Sequence, residues 1–221
     1  MSTDASYPER GHVETGGPAA VRQVGDGQGG HVEIRKLSVG PMDNNCYVLV
    51  SGGEALLIDA ANDAERILEA VEDLDVVTIM TTHGHQDHWQ ALAAVAEATG
   101  AEVVYHPADD DMIPVEADRH VDHGVELSFG SAGVRLIHNP GHTPGSTSVL
   151  LGESHVFTGD TLFPGGIGRT HSREEFDVAY EHVVEHLFSL PDDTWVYPGH
   201  GDDTTIGDER PSLEEWRERG W

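Results

Sequence analysis

Cysteine is almost missing from this sequence. Cys46 stands alone, which excludes an intrachain disulfide and any Cys-x-x-Cys zinc site. Its apolar neighbours, Tyr47 to Val50, mark it as a buried strand residue. Lysine is as scarce, with Lys36 the only one, and lysine plus arginine number 12 against 40 acidic residues. The formal charge of −28 repels nucleic acid and anionic membranes, so neither partner is expected. No stretch reaches the roughly 18 apolar residues of a membrane span, and the N-terminus lacks the basic region and apolar core of a secretory signal. A cytoplasmic protein is the expectation.

The 221 residues, 38% of them hydrophobic, suffice for one sizeable core. Residues 1–30 are rich in Gly, Pro, Ser and charge without apolar periodicity, so they read as a flexible tail, leaving 31–221 as a single domain. Strands are expected over 32–39, 46–51 and 55–59, the last two joined by a turn at Gly52-Gly53-Glu54. A helix starting at Asn62 or Asp63 precedes an apolar strand over 76–80. A second helix is expected over 87–99, stopped by Gly100, then a strand over 102–105 and an acidic surface loop or short helix over 107–123. Strands follow over 125–129, 134–138, 146–151 and 154–158, a helix over 174–187, a strand over 194–197 and a last helix over 211–219. Two β-rich halves, each with attached helices, give an α/β four-layer αββα sandwich.

Chemistry concentrates in Thr81-Thr82-His83-Gly84-His85-Gln86-Asp87-His88, at the end of the strand over 76–80. Side chains two apart in extended backbone point the same way, so His83 and His85 share a direction while Asp87 and His88 face a neighbouring one. Four candidate ligands exceed the three that one open catalytic zinc needs, and the excess points to two metals. Three more candidates sit at strand ends in Gly- and Pro-rich turns: His142 in Pro140-Gly141-His142-Thr143-Pro144-Gly145, Asp160 after Thr158-Gly159, and His200 in Pro198-Gly199-His200-Gly201.

These motifs, from about Val32 to Gly201, closely resemble the metallo-β-lactamase superfamily and, within it, the glyoxalase II-like thioester hydrolases. The resemblance implies that His83, His85 and His142 hold a first divalent ion and Asp87, His88 and His200 a second, with Asp160 bridging. Zinc is the expected metal, with iron or manganese as alternatives. Asp59, ending Leu56-Leu57-Ile58-Asp59, matches an aspartate that orients the histidine loop. Such a pair holds a bridging water acidic enough to yield hydroxide near neutral pH. Asp87 and Asp160 are thus the carboxylates closest to the chemistry, and a small acyl thioester is the implied substrate.

In the segment 161–170, Arg169 falls where the family carries a basic residue for a substrate carboxylate, and His171 where it often carries an aromatic contact. Glutathione-using relatives have a long C-terminal helical domain, whereas only about twenty residues follow His200 here, so the resemblance does not single out glutathione, and another thiol carrier such as mycothiol or coenzyme A fits as well. The thiol carrier and the oligomeric state lie beyond the sequence. Three other readings stay open: a persulfide dioxygenase with a single iron, which shares the Gly159-Asp160 and Gly168-Arg169-Thr170 elements; a lactonase or phosphodiesterase on the same scaffold; and a non-catalytic binding protein stabilised by metal.

Overall fold

A computed structural model describes residues 7–220. The first sheet runs β1 (Ala20–Gly25), β2 (His31–Val39), β3 (Asn44–Ser51), β4 (Glu54–Ile58), β5 (Asp75–Met80), β6 (Glu102–Tyr105) and β7 (Arg119–His120), neighbours in that order. Pairing is antiparallel as far as β4 and parallel from β4 to β7. The second half supplies β8 (Glu126–Phe129), β9 (Ala132–His138), β10 (Thr147–Leu151), β11 (His155–Gly159), a small ribbon of β12 (Leu162–Phe163) with β13 (Gly166–Ile167), then β14 (Trp195–Pro198) and β15 (Thr204–Thr205). Apart from the ribbon, these form a sheet ordered β15-β14-β11-β10-β9-β8.

Strand alternation builds the layers. Val32, Ile34, Tyr47, Leu49, Leu56 and Ile58 turn inward to meet Leu136, Val149, Leu151, Phe157 and Tyr197 of the other sheet. The intervening residues Leu37, Val39, Cys46, Val48, Ala55 and Leu57 turn outward under α1 (Ala64–Ala70) and α2 (Leu92–Thr99), which contribute Ile67, Leu92 and Val95. On the opposite side Ile137, Leu150 and Val156 pack against α3 (Arg173–His182), the turn of helix after it, α4 (Ile206–Glu209) and α5 (Leu213–Arg219), through Phe176, Val183, Leu187, Ile206 and Trp216. The result is a four-layer αββα sandwich.

Two expectations need correction. The flexible tail over 1–30 gives way to ordered chain: β1 pairs along β2 from Ala20↔Lys36 to Gly25↔His31, and Val13, Ala20 and Val24 are buried. Only two inward side chains per short strand carried the signal, and the surrounding glycine and polar residues masked it; residues 1–6 of that tail lie outside the described residues. The helix over 87–99 begins only at Leu92. Gln86–His88 is a tighter 3-10 turn, and the Ala91 amide donates to Ala60 O at 3.0 Å rather than into a helix.

Lys36 points into the sandwich and is 0% exposed. Its ammonium donates to Asp203 Oδ1 and to the Gly201 carbonyl, both at 2.7 Å, and the Tyr7 hydroxyl donates to Asp203 Oδ2 at 2.6 Å. This buried pair ties the inner face of β2 to the chain following His200. Removing one partner strands a buried charge, at a cost of about 3–5 kcal/mol. Lys36→Met is expected to lower unfolding free energy by about that amount in urea denaturation; a loss below about 1 kcal/mol would mean that water reaches Asp203.

Candidate metal centre

The candidate ligands gather at one rim of the sandwich because each follows the end of a strand. Asp59 follows β4, the His83 to His88 segment follows β5, His142 lies beyond β9, Asp160 follows β11 and His200 follows β14. Parallel neighbours β4, β5 and β6, and the parallel pair β11 and β14, bring those ends to one side.

All seven residues come together. Ligand atoms of His83, His85 and His142 lie within 4.8 Å of one another, as do those of Asp87, His88 and His200, and those of His83, His88 and Asp160. His85 Nδ1 is 2.9 Å from His142 Nε2, and His88 Nε2 is 3.3 Å from His200 Nε2. Asp160 stands between the groups: Oδ1 is 3.3 Å from His88 Nε2, while Oδ2 is 3.5 Å from His142 Nε2 and 3.6 Å from His200 Nε2. His83 Nε2 and Asp160 Oδ1 are buried without a hydrogen-bond partner. Orphaned buried atoms of this kind cost about 1–3 kcal/mol each, and a divalent cation satisfies them. Nitrogen and carboxylate donors suit zinc or iron.

Three of the five histidines are anchored on their far side. His88 Nδ1 donates to Asp59 Oδ2 at 2.8 Å, His142 Nδ1 to the Arg169 carbonyl at 2.7 Å, and His200 Nδ1 to the Met42 carbonyl at 2.9 Å. These bonds fix the tautomer that leaves Nε2 free for an ion. Asp59 also accepts from the Thr82 amide at 2.7 Å and the Thr82 hydroxyl at 2.8 Å, and that hydroxyl sits 3.1 Å from His83 Nδ1. The carboxylate therefore holds both groups, from a backbone with φ of 58°. Asp87 Oδ2 accepts from Asn44 Nδ2 at 2.9 Å.

Electrostatics follow from this packing. Burial, reinforced by His88, holds His83 well below the ordinary histidine value. Burial also opposes charge on His88, but Asp59 and Asp160 outweigh it and push its pKa up to about 10. Burial would raise Asp160, yet His88 and His200 hold it well below the usual carboxylate range. Without an ion, His88 lies between the carboxylates of Asp59 and Asp160, and, against burial, Asp160 also raises the pKa of His200.

Asp109 carries no signal in the sequence and lies in the segment expected to be a surface loop or short helix; it ends a 3-10 turn over Pro107–Asp109. It is 1% exposed, with Oδ2 accepting from the Gly84 amide and the Thr143 hydroxyl, and Oδ1 from the Gly145 amide, all at 2.7 Å. It thereby clamps the His83-His85 loop to the His142 loop. Nothing in its acidic neighbourhood distinguishes it from Asp110 or Asp111. The glycines act through close approach as much as through turning: a Cβ on Gly199 would collide with Asp160 Oδ1 and His88, and one on Gly168 with the Asp160 carbonyl. Trp89 packs against the α1 and α2 layer and donates to the Gly84 carbonyl at 2.9 Å.

Beside His85 and His142 opens a cleft of about 440 Å³, walled by Met112, Pro140, Pro144 and Val178 and rimmed by His171 and Glu174. His171 thus lies at the cleft. Arg169 is exposed and does not line it; its carbonyl, rather than its guanidinium, reaches the centre through His142.

A sequence profile for the metallo-beta-lactamase superfamily matches residues 39–200. Hydroxyacylglutathione hydrolase GloC of Haemophilus influenzae is 31% identical over 204 residues, covering 82% of this chain and 96% of that enzyme. ETHE1 from Myxococcus xanthus has a similar crystal structure, with a TM-score of 0.73 and 32% identity over 85% of this chain and 89% of that one. TTHA1623, crystallised in a di-iron-bound form, superposes with a TM-score of 0.69 at 30% identity, over 79% of this chain and 96% of that one.

Two outcomes follow from the geometry. Asp109→Ala leaves three donors without their acceptor, and is expected to weaken metal affinity by about 10- to 100-fold in a chelator competition; unchanged affinity would show that the two loops hold their places unaided. His88, with its pKa raised to about 10, is charged at neutral pH and must lose its proton to ligate an ion. About one proton released per ion bound by the Asp87, His88 and His200 group is therefore expected between pH 7 and 9, read by calorimetry in buffers of different ionisation enthalpy. Affinity there should fall about tenfold for each pH unit lowered; proton-independent binding would contradict the charged state of His88.

Proposed function

The chain belongs to the metallo-beta-lactamase superfamily, and from that premise we propose that it is a hydrolase of small acyl thioesters operating with two divalent ions, zinc in the simplest case. The observation that carries this reading is the placement of Asp160, whose two oxygens face His88 on one side and His142 and His200 on the other. His83, His85 and His142 would hold one ion, Asp87, His88 and His200 the other, and Asp160 would touch both. The chemistry supplied by two bound ions is an activated water near neutral pH and polarisation of the scissile carbonyl.

The residues of the chain do the rest. Asp59 and the Arg169 and Met42 carbonyls hold the imidazoles in one tautomer. Asp87, oriented by Asn44, is the carboxylate next to the second group and the candidate proton acceptor should its ligand role lapse. A thiolate leaves with little need of a proton, because a free thiol has a pKa of only about 8.5, and no separate acid is needed. The apolar cleft beside His85 and His142 accepts the acyl group and its linkage. His171 at the rim meets the carrier, and Arg169, two residues earlier and solvent-facing, meets a carboxylate at its outer end.

The name of the Haemophilus relative supports thioester hydrolysis, and this chain spans 96% of it. A hydroxyacylglutathione hydrolase can therefore have about this length, and the shortness of the chain after His200 does not count against glutathione. A cytoplasmic setting with small thiol conjugates completes the reading; among the described residues no helix is long and apolar enough to cross a membrane.

The test assays S-lactoyl and S-formyl conjugates of several thiols with wild type and Asp160→Ala. The expected result is turnover by wild type and a loss of at least about 10²-fold in kcat for the variant. An inactive wild type, or a variant that keeps its activity, would overturn the proposal; oxygen uptake on a persulfide with a single bound iron would replace it.

A further inference from the structure

Away from the rim, α3 runs into a wider π-helical turn over Val183–Leu187, and this stretch carries a second gathering of metal-ligating side chains. One atom from each of His182, Glu185 and His186 lies within 4.8 Å of the other two. The rings of His182 and His186 have centroids 5.6 Å apart at 27°. His123, from the turn after β7, faces His186 with a centroid separation of 4.9 Å. Nδ1 of His182 is buried without a hydrogen-bond partner.

We propose that His182, Glu185 and His186, completed by His123, form a second, peripheral site for a divalent cation of the zinc class. Residues four apart on a helix share a face, which sets the two imidazoles side by side, and π-helical turns recur at functional positions. Two or three imidazoles with one carboxylate form a donor set typical of zinc. Zinc to nitrogen distances of about 2.0–2.1 Å require the donor atoms to close in by on the order of 1 Å, within reach of side-chain rotation. A net charge of −28 raises the local concentration of divalent cations. The site has a structural consequence: the other end of α3 supplies Glu174, Glu175 and Val178 to the cleft, and a cation joining this helix to the turn after β7 would brace that wall.

The experiment equilibrates wild type, His186→Ala and Glu185→Gln against a buffer of micromolar free zinc and counts bound zinc per chain by elemental analysis. Wild type is expected to hold one ion more than either variant, and diffraction at the zinc edge should place an anomalous peak among His182, Glu185 and His186. Equal zinc in all three proteins, or an anomalous map with peaks only at the strand-end rim, would overturn the proposal. Glu185 is exposed, so its variant reports on binding even if loss of the His186 ring disturbs the helix.

Discussion

The convergence of histidine ring nitrogens and carboxylate oxygens within a few ångströms of one another is the constraint on which the structure depends. His85 and His142 oppose ring nitrogens at 2.9 Å, and His88 and His200 do so at 3.3 Å, with Asp160 set between the groups. In the free protein these groups are joined by hydrogen bonds whose donors depend on the histidine tautomers, helped by the raised pKa of His88 beside Asp59 and Asp160. The anchoring of the remote nitrogens by Asp59, Arg169 O and Met42 O keeps the donors convergent.

That convergence needs a rigid frame, and the sandwich supplies it by sending five strand ends to one rim. The inner core of Tyr47, Phe157 and Tyr197 sits directly beneath, with Tyr47 and Phe157 edge to face at 5.0 Å and the Tyr47 hydroxyl donating to the Pro198 carbonyl at 2.7 Å. Asn45 adds bonds to the Pro198 and Gly201 carbonyls. The His200 turn is thus held by polar groups of β3 and by Lys36, so the cost of burying a lysine falls next to a candidate ligand. On the opposite side Asp109 performs the same service for His83, His85 and His142.

Much of this was legible in the sequence. The apolar run before Thr81 and the alternation in β2, β3 and β4 announce strands with one face per layer, and the packing of three histidines and an aspartate into six positions announces metal. The seven candidate ligands carried signals because motifs concentrate them or glycines flank them. Asp109 and Asn44 carried none, since their roles arise only when loops distant in sequence meet. The start of α2 was misjudged because an amphipathic pattern says nothing of Ala91 donating to Ala60. β1 was missed because two inward residues in a glycine-rich stretch fall below any period. Arg169 shows the reverse case: its position was picked for its charge, while the contact that the structure makes at the centre is through its backbone.

The most direct test of a dinuclear centre bridged by Asp160 is diffraction from the metal-loaded protein at the absorption edge of the bound metal. Two ions are expected, one among His83, His85 and His142 and one among Asp87, His88 and His200, with Asp160 touching both. A single ion at full loading, or two ions with Asp160 turned away from either, would contradict it.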